Sequence, residues 1–260
     1  MKKILSLIIT FITMSAISVY ASDMRFVQVT DLMFSVKDEN SVNNFKNLIT
    51  DINKQKNVNF VVFTGNNIAK LDKNNLEGFL DNAKKLNSPY YVILGNKDVN
   101  KQKNLSKAEY MKIVQKENRS HKKIEFSNYV FEKNGVVFIA VDGSKEVIPS
   151  TIGYYKADTL KWLDETLNLY KNKNVIILQH FPIVPPAKKE NRYTFKADEY
   201  LKLLNHHKNV KAVVAGHFDV NNEQNVNGIL HISTENAPSY RIIDIMDYDT
   251  QNPTFWSTCR

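Results

Sequence analysis

The stretch NFVVFTGNN, residues 59–67, and its counterpart YYVILGNKD, residues 90–98, decide the fold class of this 260-residue chain. Each is a short run of β-branched and aromatic residues that ends in Gly-Asn, and this composition predicts a buried strand followed by a tight turn. The segment between them, around residues 76–86, has apolar residues at helical spacing. Strands that alternate with amphipathic helices are typical of a layered α/β protein rather than of a β-sandwich or a helical bundle.

The same alternation continues along the chain. The predicted strands cover residues 25–30, 59–64, 90–94, 129–132, 136–141, 175–179, 212–215, 229–233 and 240–245, and the predicted helices cover residues 42–54, 76–86, 107–117, 157–170 and 197–206. Short turns such as Lys133-Asn134-Gly135 favour antiparallel pairing of the later strands, in one mixed sheet or two stacked sheets. The Pro-containing residues 182–192 are predicted to form a long loop. Because no repeat, linker or break in composition follows, we expect residues 22–260 to form one domain.

The first 21 residues have the features of a secretory signal. Lys2 and Lys3 precede an apolar run over residues 4–19, and Val19-Tyr20-Ala21 places small residues where a signal peptidase reads them. We therefore expect an exported protein, periplasmic or secreted, with no transmembrane segment after signal removal. The alternative is an uncleaved signal that anchors the protein in a membrane, although the run is slightly short for a span.

Composition and charge exclude several kinds of protein. Hydrophobic residues make up 43% and charged residues 24% of the chain, as in ordinary globular proteins. The single cysteine, Cys259, excludes an intramolecular disulfide and argues against thiol catalysis. The net charge of +8 comes from lysines spread along the whole chain, so nucleic-acid binding is disfavoured against a solvated lysine-rich surface.

Polar residues follow the predicted strands in a regular series. In an α/β protein such positions face a ligand crevice, because the carboxyl ends of parallel strands meet at one edge. Asn67 and Asp98 are as compatible with a structural role in a turn or helix cap as with a position facing the site. The series reads Asp31, Gly65-Asn66-Asn67, Gly95-Asn96-Lys97-Asp98, His180 and Gly216-His217-Phe218-Asp219.

This ordered series resembles the motifs of the calcineurin-like metallophosphoesterases, especially the branch of cyclic-nucleotide phosphodiesterases. The five blocks of that family read D-x-H, G-D, G-N-H-[DE], H and G-H-x-H. The resemblance implies a four-layer α/β/β/α sandwich with mixed sheets. It also implies a centre of two divalent metals, bridged by an aspartate and a hydroxide that attacks a phosphoester.

The chain departs from that pattern at four positions that carry the chemistry. Met33 stands where the family has a metal-binding histidine, and Asn66 stands where it has the bridging aspartate. Lys97 replaces the histidine thought to assist the leaving group, and Asp219 replaces the terminal histidine. The resemblance thus assigns Lys97 to the catalytic position and leaves as candidate metal ligands Asp31, Asn66, Asn96, His180, His217 and Asp219.

These substitutions weaken a two-metal centre for electrostatic reasons. Two divalent ions about 4 Å apart repel by roughly 17 kcal/mol at an effective dielectric near 20. Asn66 offers one neutral oxygen and no charge to offset this, and the thioether of Met33 suits manganese, iron(II) or zinc poorly. We therefore expect one divalent ion (Mn, Fe or Zn) or none, rather than two. A further hypothesis is that the ammonium of Lys97 pairs with Asp31 or Asp219 in place of a metal.

Three functions remain compatible with the sequence. One is an exported metallophosphoesterase-fold protein, a pseudoenzyme with weak or no hydrolysis that binds phosphate, a phosphate-bearing small molecule or a single metal. The alternative is an active metal-dependent hydrolase, a phosphomono- or phosphodiesterase that uses a reorganised site. The third is an interaction protein of the envelope whose cleft is vestigial. Loss of the bridge and of the assisting histidine favours the first.

Overall fold

A computed structural model describes residues 24–103 and 105–260, and the predicted signal lies outside the described residues. Five helices are present in this part of the chain: α1 (Glu39–Lys54), α2 (Lys73–Ala83), α3 (Lys107–Glu117), α4 (Ala157–Leu169) and α5 (Ala197–Asn205). The strands are β1 (Met24–Val29), β2 (Val58–Thr64), β3 (Tyr90–Ile93), β4 (Tyr129–Lys133), β5 (Val136–Val141), β6 (Gly153–Tyr154), β7 (Val175–Gln179), β8 (Thr194–Phe195), β9 (Val210–Ala215), β10 (Asn222–Val226), β11 (Ile229–Ser233), β12 (Arg241–Met246) and β13 (Thr254–Cys259).

The long strands form two mixed sheets. The first has the order β13-β12-β1-β2-β3, with β1, β2 and β3 parallel. The second has the order β10-β11-β9-β7-β5-β4, and β6 and β8 form a separate parallel pair. The predicted antiparallel pairing of the later strands is wrong for β5, β7, β9 and β11, which run parallel. Helix α4 lies in the connection from β5 to β7, and helix α5 lies in the connection from β7 to β9. Such a helical crossover returns the chain to the end of the sheet where the first strand began, so the two strands run parallel. Strands β10 and β13 were not predicted. Their residues alternate only between partly buried and exposed positions, so the hydrophobic pattern in the sequence is weak.

Strand β5 shows why the two sheets stack. Its residues alternate between a face covered by α4 and α5 and a face packed against the first sheet. On the inner face, the ring of Phe138 lies 4.9 Å from that of Phe60 and 5.6 Å from that of Phe26. Every residue of β5 is therefore buried, which explains why the sequence of this strand is continuously apolar.

Helices α1, α2 and α3 cover the outer face of the first sheet. Phe63 of β2 packs against Phe45 of α1 and Phe79 of α2, at ring distances of 6.0 and 5.0 Å. Helix α3 begins with a capping box between Ser106 and Glu109. The layers follow in the order α/β/β/α, which confirms the predicted four-layer fold. In the part of the chain that the structure describes, no helix is long and apolar enough to cross a membrane.

A buried polar clamp holds the two sheets together at one end. Gln28 Nε2 donates to the carbonyl of Ala215 in the second sheet at 2.8 Å and to Thr64 Oγ1 at 2.9 Å. Thr234 Oγ1 in turn donates to Gln28 Oε1 at 2.6 Å. Burial without these partners would cost several kcal/mol, so the clamp fixes the relative position of the strand ends above it.

Candidate functional site

The candidate site lies where the carboxyl ends of β1, β2 and β3 meet those of β7 and β9. Hydrogen bonds cross directly between the loops that follow these strands. The backbone N–H of Gly216 donates to the carbonyl of His180 at 3.1 Å, and that of Asp31 donates to the carbonyl of Gly65 at 3.0 Å. The sheet topology therefore brings five distant segments of sequence to one crevice.

Asp31 is the anionic centre of the site and is only 8% exposed. Its Oδ2 accepts from the backbone N–H of His217 at 2.9 Å and from Thr30 Oγ1 at 2.8 Å, and its Oδ1 accepts from Asn66 Nδ2 at 2.8 Å. Burial raises the pKa of Asp31, but the charge that His180 can carry and these three donors outweigh burial and hold the pKa below its usual value. Both carboxylate oxygens are thus occupied by protein donors.

The side-chain amide of Asn66 accepts a hydrogen bond through its oxygen and donates hydrogen bonds through its nitrogen. Its Oδ1 accepts from the backbone N–H of Lys97 at 2.9 Å, so its Nδ2 must face Asp31 and, at 3.4 Å, Asn96 Oδ1. The amide N–H group therefore lies between two oxygens that the family resemblance assigns as metal ligands. An aspartate at this position has no such donor when ionised.

His180 and Asn96 leave acceptors facing each other. His180 Nδ1 lies 2.7 Å from the carbonyl of Thr64, which only accepts, so Nδ1 carries the proton. The lone pair of Nε2 then points toward Asn96 Oδ1 at 3.3 Å. Burial lowers the pKa of His180, and the ring is neutral near pH 7. Two neutral acceptors at this distance are suited to share one cation.

His217 closes the site toward a neighbouring loop. Its Nε2 donates to the carbonyl of Thr151 at 2.8 Å, and its ring packs 4.9 Å from that of His180. Burial first, and then the nearby His180, lower the pKa of His217 to about 3, so it is neutral at physiological pH. The backbone of His217 has φ of 72°, which turns its N–H toward Asp31.

Asp219 is paired with a cation that the sequence analysis did not identify. Arg192 Nη1 bonds to Asp219 Oδ2 and also donates to the carbonyl of His217, while Lys189 Nζ lies 3.8 Å from the same carboxylate. Both cations lie in the predicted loop of residues 182–192. In the sequence, Lys189 and Arg192 are two basic residues of a loop, and nothing in the sequence predicts which part of the fold this loop contacts.

Lys97 and Met33 lie at the edges of the site. The hypothesis that Lys97 pairs with Asp31 or Asp219 is wrong, because no ion pair of Lys97 occurs among the described residues. Its side chain is exposed and lines a groove beside Asn96. Met33 borders a different groove, against Ser41 and Leu48 of α1. The cation that neutralises Asp219 is Arg192.

The backbone at the site is held in uncommon conformations. Left-handed φ values of 51° to 54° occur at Asp31, Met33, Asn66 and Asp219. Such a residue costs about 1–2 kcal/mol unless it is glycine, asparagine or aspartate. Gly95 is required for a different reason, since a Cβ there would lie 2.3 Å from the backbone nitrogen of Asn66.

Asn67 and Asp98 form a structural pair behind the site. Asp98 Oδ1 accepts from the backbone N–H of Asn67 at 2.7 Å, and Oδ2 accepts from that of Gly95 at 2.8 Å. Asn67 Nδ2 donates to the carbonyl of Ile93 at 2.9 Å. Burial raises the pKa of Asp98 to about 7 against the effect of its backbone donors. These contacts hold the two Gly-Asn loops together.

The donor set does not fit a two-metal centre. Asn66 directs an N–H group, not an oxygen, at Asp31 and Asn96, and Asp219 is neutralised by Arg192. Among the residues that the structure describes, no group of three His, Cys, Asp or Glu side chains is placed to hold a metal ion. The neutral acceptors His180 Nε2 and Asn96 Oδ1 still face each other at 3.3 Å.

Comparisons with known proteins agree on the fold. The sequence profile of the family described as calcineurin-like phosphoesterase matches residues 24–220. This family is generally dependent on divalent metals and binds phosphate-ester substrates. Among curated proteins, the search found no match.

Three solved structures illustrate the likeness. A dimetal phosphatase from Danio rerio is 16% identical with a TM-score of 0.66, over 89% of this chain and 98% of that one. GAP50, the anchor in the inner membrane complex of Plasmodium, is 16% identical with a TM-score of 0.56, over 91% and 88%. The protein TT1561 of Thermus thermophilus is 14% identical with a TM-score of 0.60, over 90% and 99%. At these identities the likeness establishes a shared fold.

Proposed function

Since the chain belongs to the calcineurin-like phosphoesterase family, we propose that it is an exported member of that family that binds phosphate groups and does not run two-metal hydrolysis. Its cleft holds one divalent ion or none. Export rests on the signal-like residues 1–21. The fold itself does not decide between catalysis and another role, since a dimetal phosphatase and an anchor of a membrane complex share it.

The orientation of the Asn66 amide carries the proposal. In a two-metal centre the residue at this position supplies a shared oxygen, and metals neutralise the carboxylates around it. Here Asn66 Nδ2 donates to Asp31 Oδ1 at 2.8 Å and thereby satisfies the carboxylate without a metal. The Oδ1 that remains is occupied by the N–H of Lys97. Hydrogen bonds within the chain therefore replace the interactions that would draw two ions into the site.

Cationic side chains at the site provide the means to bind phosphate. Arg192 is partly exposed, and among the described residues only its Nη1 bonds to protein acceptors, so its other guanidinium N–H groups are available to an anion. The exposed ammonium of Lys97 lies beside Asn96. Guanidinium and ammonium groups are the usual protein partners of phosphate oxygens. The site thus favours an anionic ligand over a second divalent cation.

An active hydrolase is the second candidate, and one observation favours it. His180 Nε2 and Asn96 Oδ1 present two acceptors 3.3 Å apart, and Asp31 stays anionic nearby. A single ion bound there would polarise a phosphoryl oxygen as a Lewis acid.

Metal content, phosphate binding and hydrolysis together test the proposal. Elemental analysis and calorimetric titration with Mn²⁺ are expected to give at most one ion per chain at micromolar metal. Titration with inorganic phosphate in EDTA is expected to show binding that weakens about threefold or more in Lys97→Gln, from the loss of one exposed ion pair. The matched control is Lys208→Gln, which removes an exposed lysine at the opposite end of the strands.

Hydrolysis of bis(p-nitrophenyl) phosphate with added Mn²⁺ separates the two candidates. The proposed binder is expected to hydrolyse it at or near the background rate. Two tightly held ions per chain, or turnover that rises with metal and disappears in His180→Ala, would refute the proposal in favour of the hydrolase. Absence of phosphate binding in EDTA would refute the binding role.

A further inference from the structure

A groove leads away from the site on the side of Lys97. Three segments line it: residues 69–72 before α2, residues 96–103 after β3, and residues 149–151 after β5. Asn96 and Lys97 are among its lining residues, and its volume is about 580 Å³. Small-molecule sites in proteins span about 300–1,000 Å³. The groove is therefore far larger than one phosphate group requires.

The groove is positively charged. Lys70, Lys97 and Lys103 line it and are exposed. No ion pair involves any of the three within the described part of the chain. Asp72 is the one carboxylate in the lining, and it caps α2 by accepting from the N–H and the Nδ2 of Asn75 at 2.8 and 2.9 Å. Three ammonium groups are thus available to an anion from outside.

The groove and the site share walls. Asn96 belongs to both, since it lines the groove and its Oδ1 faces His180 Nε2. Thr151 lines the groove, and its carbonyl accepts from His217 Nε2 at 2.8 Å. A ligand with one end beside Asn96 and Lys97 therefore extends naturally toward Lys70 and Lys103.

We propose that the ligand of this protein is a small molecule with two anionic groups, such as a bisphosphate. One phosphate lies at the site beside Asn96 and Lys97, and the second lies between Lys70 and Lys103. This inference rests on the proposed phosphate binding and adds the class of ligand. A ligand with a single phosphate beside Lys97 leaves Lys70 and Lys103 without a partner.

Two probes with the same sugar test the groove directly. Fructose 1,6-bisphosphate and fructose 6-phosphate are titrated calorimetrically into the full-length protein in EDTA and at low ionic strength, because salt screens exposed charges. The bisphosphate is expected to bind about fivefold more tightly, as two exposed ion pairs allow. The comparison isolates the second phosphate, since the first is common to both sugars.

Paired variants locate the effect. Lys70→Gln together with Lys103→Gln is expected to abolish the preference for the bisphosphate and to leave binding of the monophosphate within about twofold, since no contact to the first phosphate is lost. The control is Lys171→Gln together with Lys208→Gln, which removes the same charge from a cleft at the other end of the strands. The control is expected to retain the preference.

Each remaining outcome has one meaning. Equal affinities for the two sugars in the wild-type protein would overturn the groove proposal and leave phosphate binding at the site intact. Equal loss of preference in both double variants would assign the effect to net charge and overturn the groove proposal as well. Failure of both sugars to bind would overturn the proposed function and the groove together.

Discussion

Replacement of Asn66 by Asp tests whether an amide has taken over the electrostatic role of a metal. The change is isosteric, and aspartate tolerates the left-handed backbone at this position. In the variant, two carboxylates meet in a site where Asn66 is 3% and Asp31 8% exposed. The donor that satisfied Asp31 is lost unless the new carboxyl group takes up a proton.

The magnitude follows from two competing energies. At the 2.8 Å that separates Asn66 Nδ2 from Asp31 Oδ1, two unit charges at an effective dielectric of about 20 repel by about 6 kcal/mol. Protonation of one carboxyl at pH 7, from an unfolded pKa of about 3.9, costs about 4 kcal/mol. The smaller cost wins, so the pair takes up a proton and the neutral acid donates to Asp31 as the amide did.

The expected loss in the free energy of unfolding therefore depends on pH. The pKa of the pair is raised in the folded state, so the bound proton stabilises the fold fully below pH 4 and is lost as the pH rises through the raised pKa. We expect the variant to be destabilised by about 1.5 kcal/mol at pH 5 and about 4 kcal/mol at pH 7 relative to the wild type. Urea unfolding in EDTA, followed by circular dichroism, measures both values.

The exposed replacement Asn172→Asp is the control, since it makes the same chemical change at the surface. It is expected to change stability by less than about 0.5 kcal/mol at either pH. A small, pH-independent loss in Asn66→Asp would show that the two side chains are not in contact and would refute the metal-replacement reasoning. Addition of Mn²⁺ is expected to stabilise Asn66→Asp more than it stabilises the wild type, because the variant offers the ion a second carboxylate.

Three further predictions concern the same site and the N-terminus. Arg192→Gln frees Asp219 and is expected to raise Mn²⁺ affinity about tenfold or more, because it removes a competing cation. The free energy of unfolding is expected to change by less than about 1 kcal/mol, since the Arg192–Asp219 pair is partly exposed. Unchanged Mn²⁺ affinity in calorimetry, with Lys196→Gln as the control, would contradict this. Restoration of the family motif is expected to give two bound Mn²⁺ ions and hydrolysis of an activated phosphodiester far above the parent rate, with strong non-additivity; a folded, metal-loaded but inactive variant would show that the cleft has changed beyond its ligands. The variant combines Met33→His, Asn66→Asp, Lys97→His and Asp219→His. Exported protein is expected to begin near Ser22 in N-terminal sequencing, and a start at Met1 would refute signal cleavage.

The fold was largely predictable because its signals are local. Burial on both faces makes a strand such as β5 a continuous apolar run, and helices α1 and α5 show their apolar faces in the spacing of their residues. The pairing direction of β7, β9 and β11 was predicted wrongly, since direction depends on what connects two strands. Strands β10 and β13 were missed because half-exposed strands carry a weak signal.

The sequence alone determined which residues stand at the strand ends and which of them depart from the family motif. Order and identity along the chain suffice for this, because a strand followed by Gly-Asn or Gly-His presents its polar residues at a fixed edge of the sheet. Tertiary structure alone decided which partners Asp219 and the Asn66 amide have. Arg192 reaches Asp219 from 27 positions away, and the Asn66 amide is oriented only because the N–H of Lys97 occupies its oxygen. Charge pairing and hydrogen bonding act over a few ångströms in space, and the distances between loops exist only after the two sheets have packed.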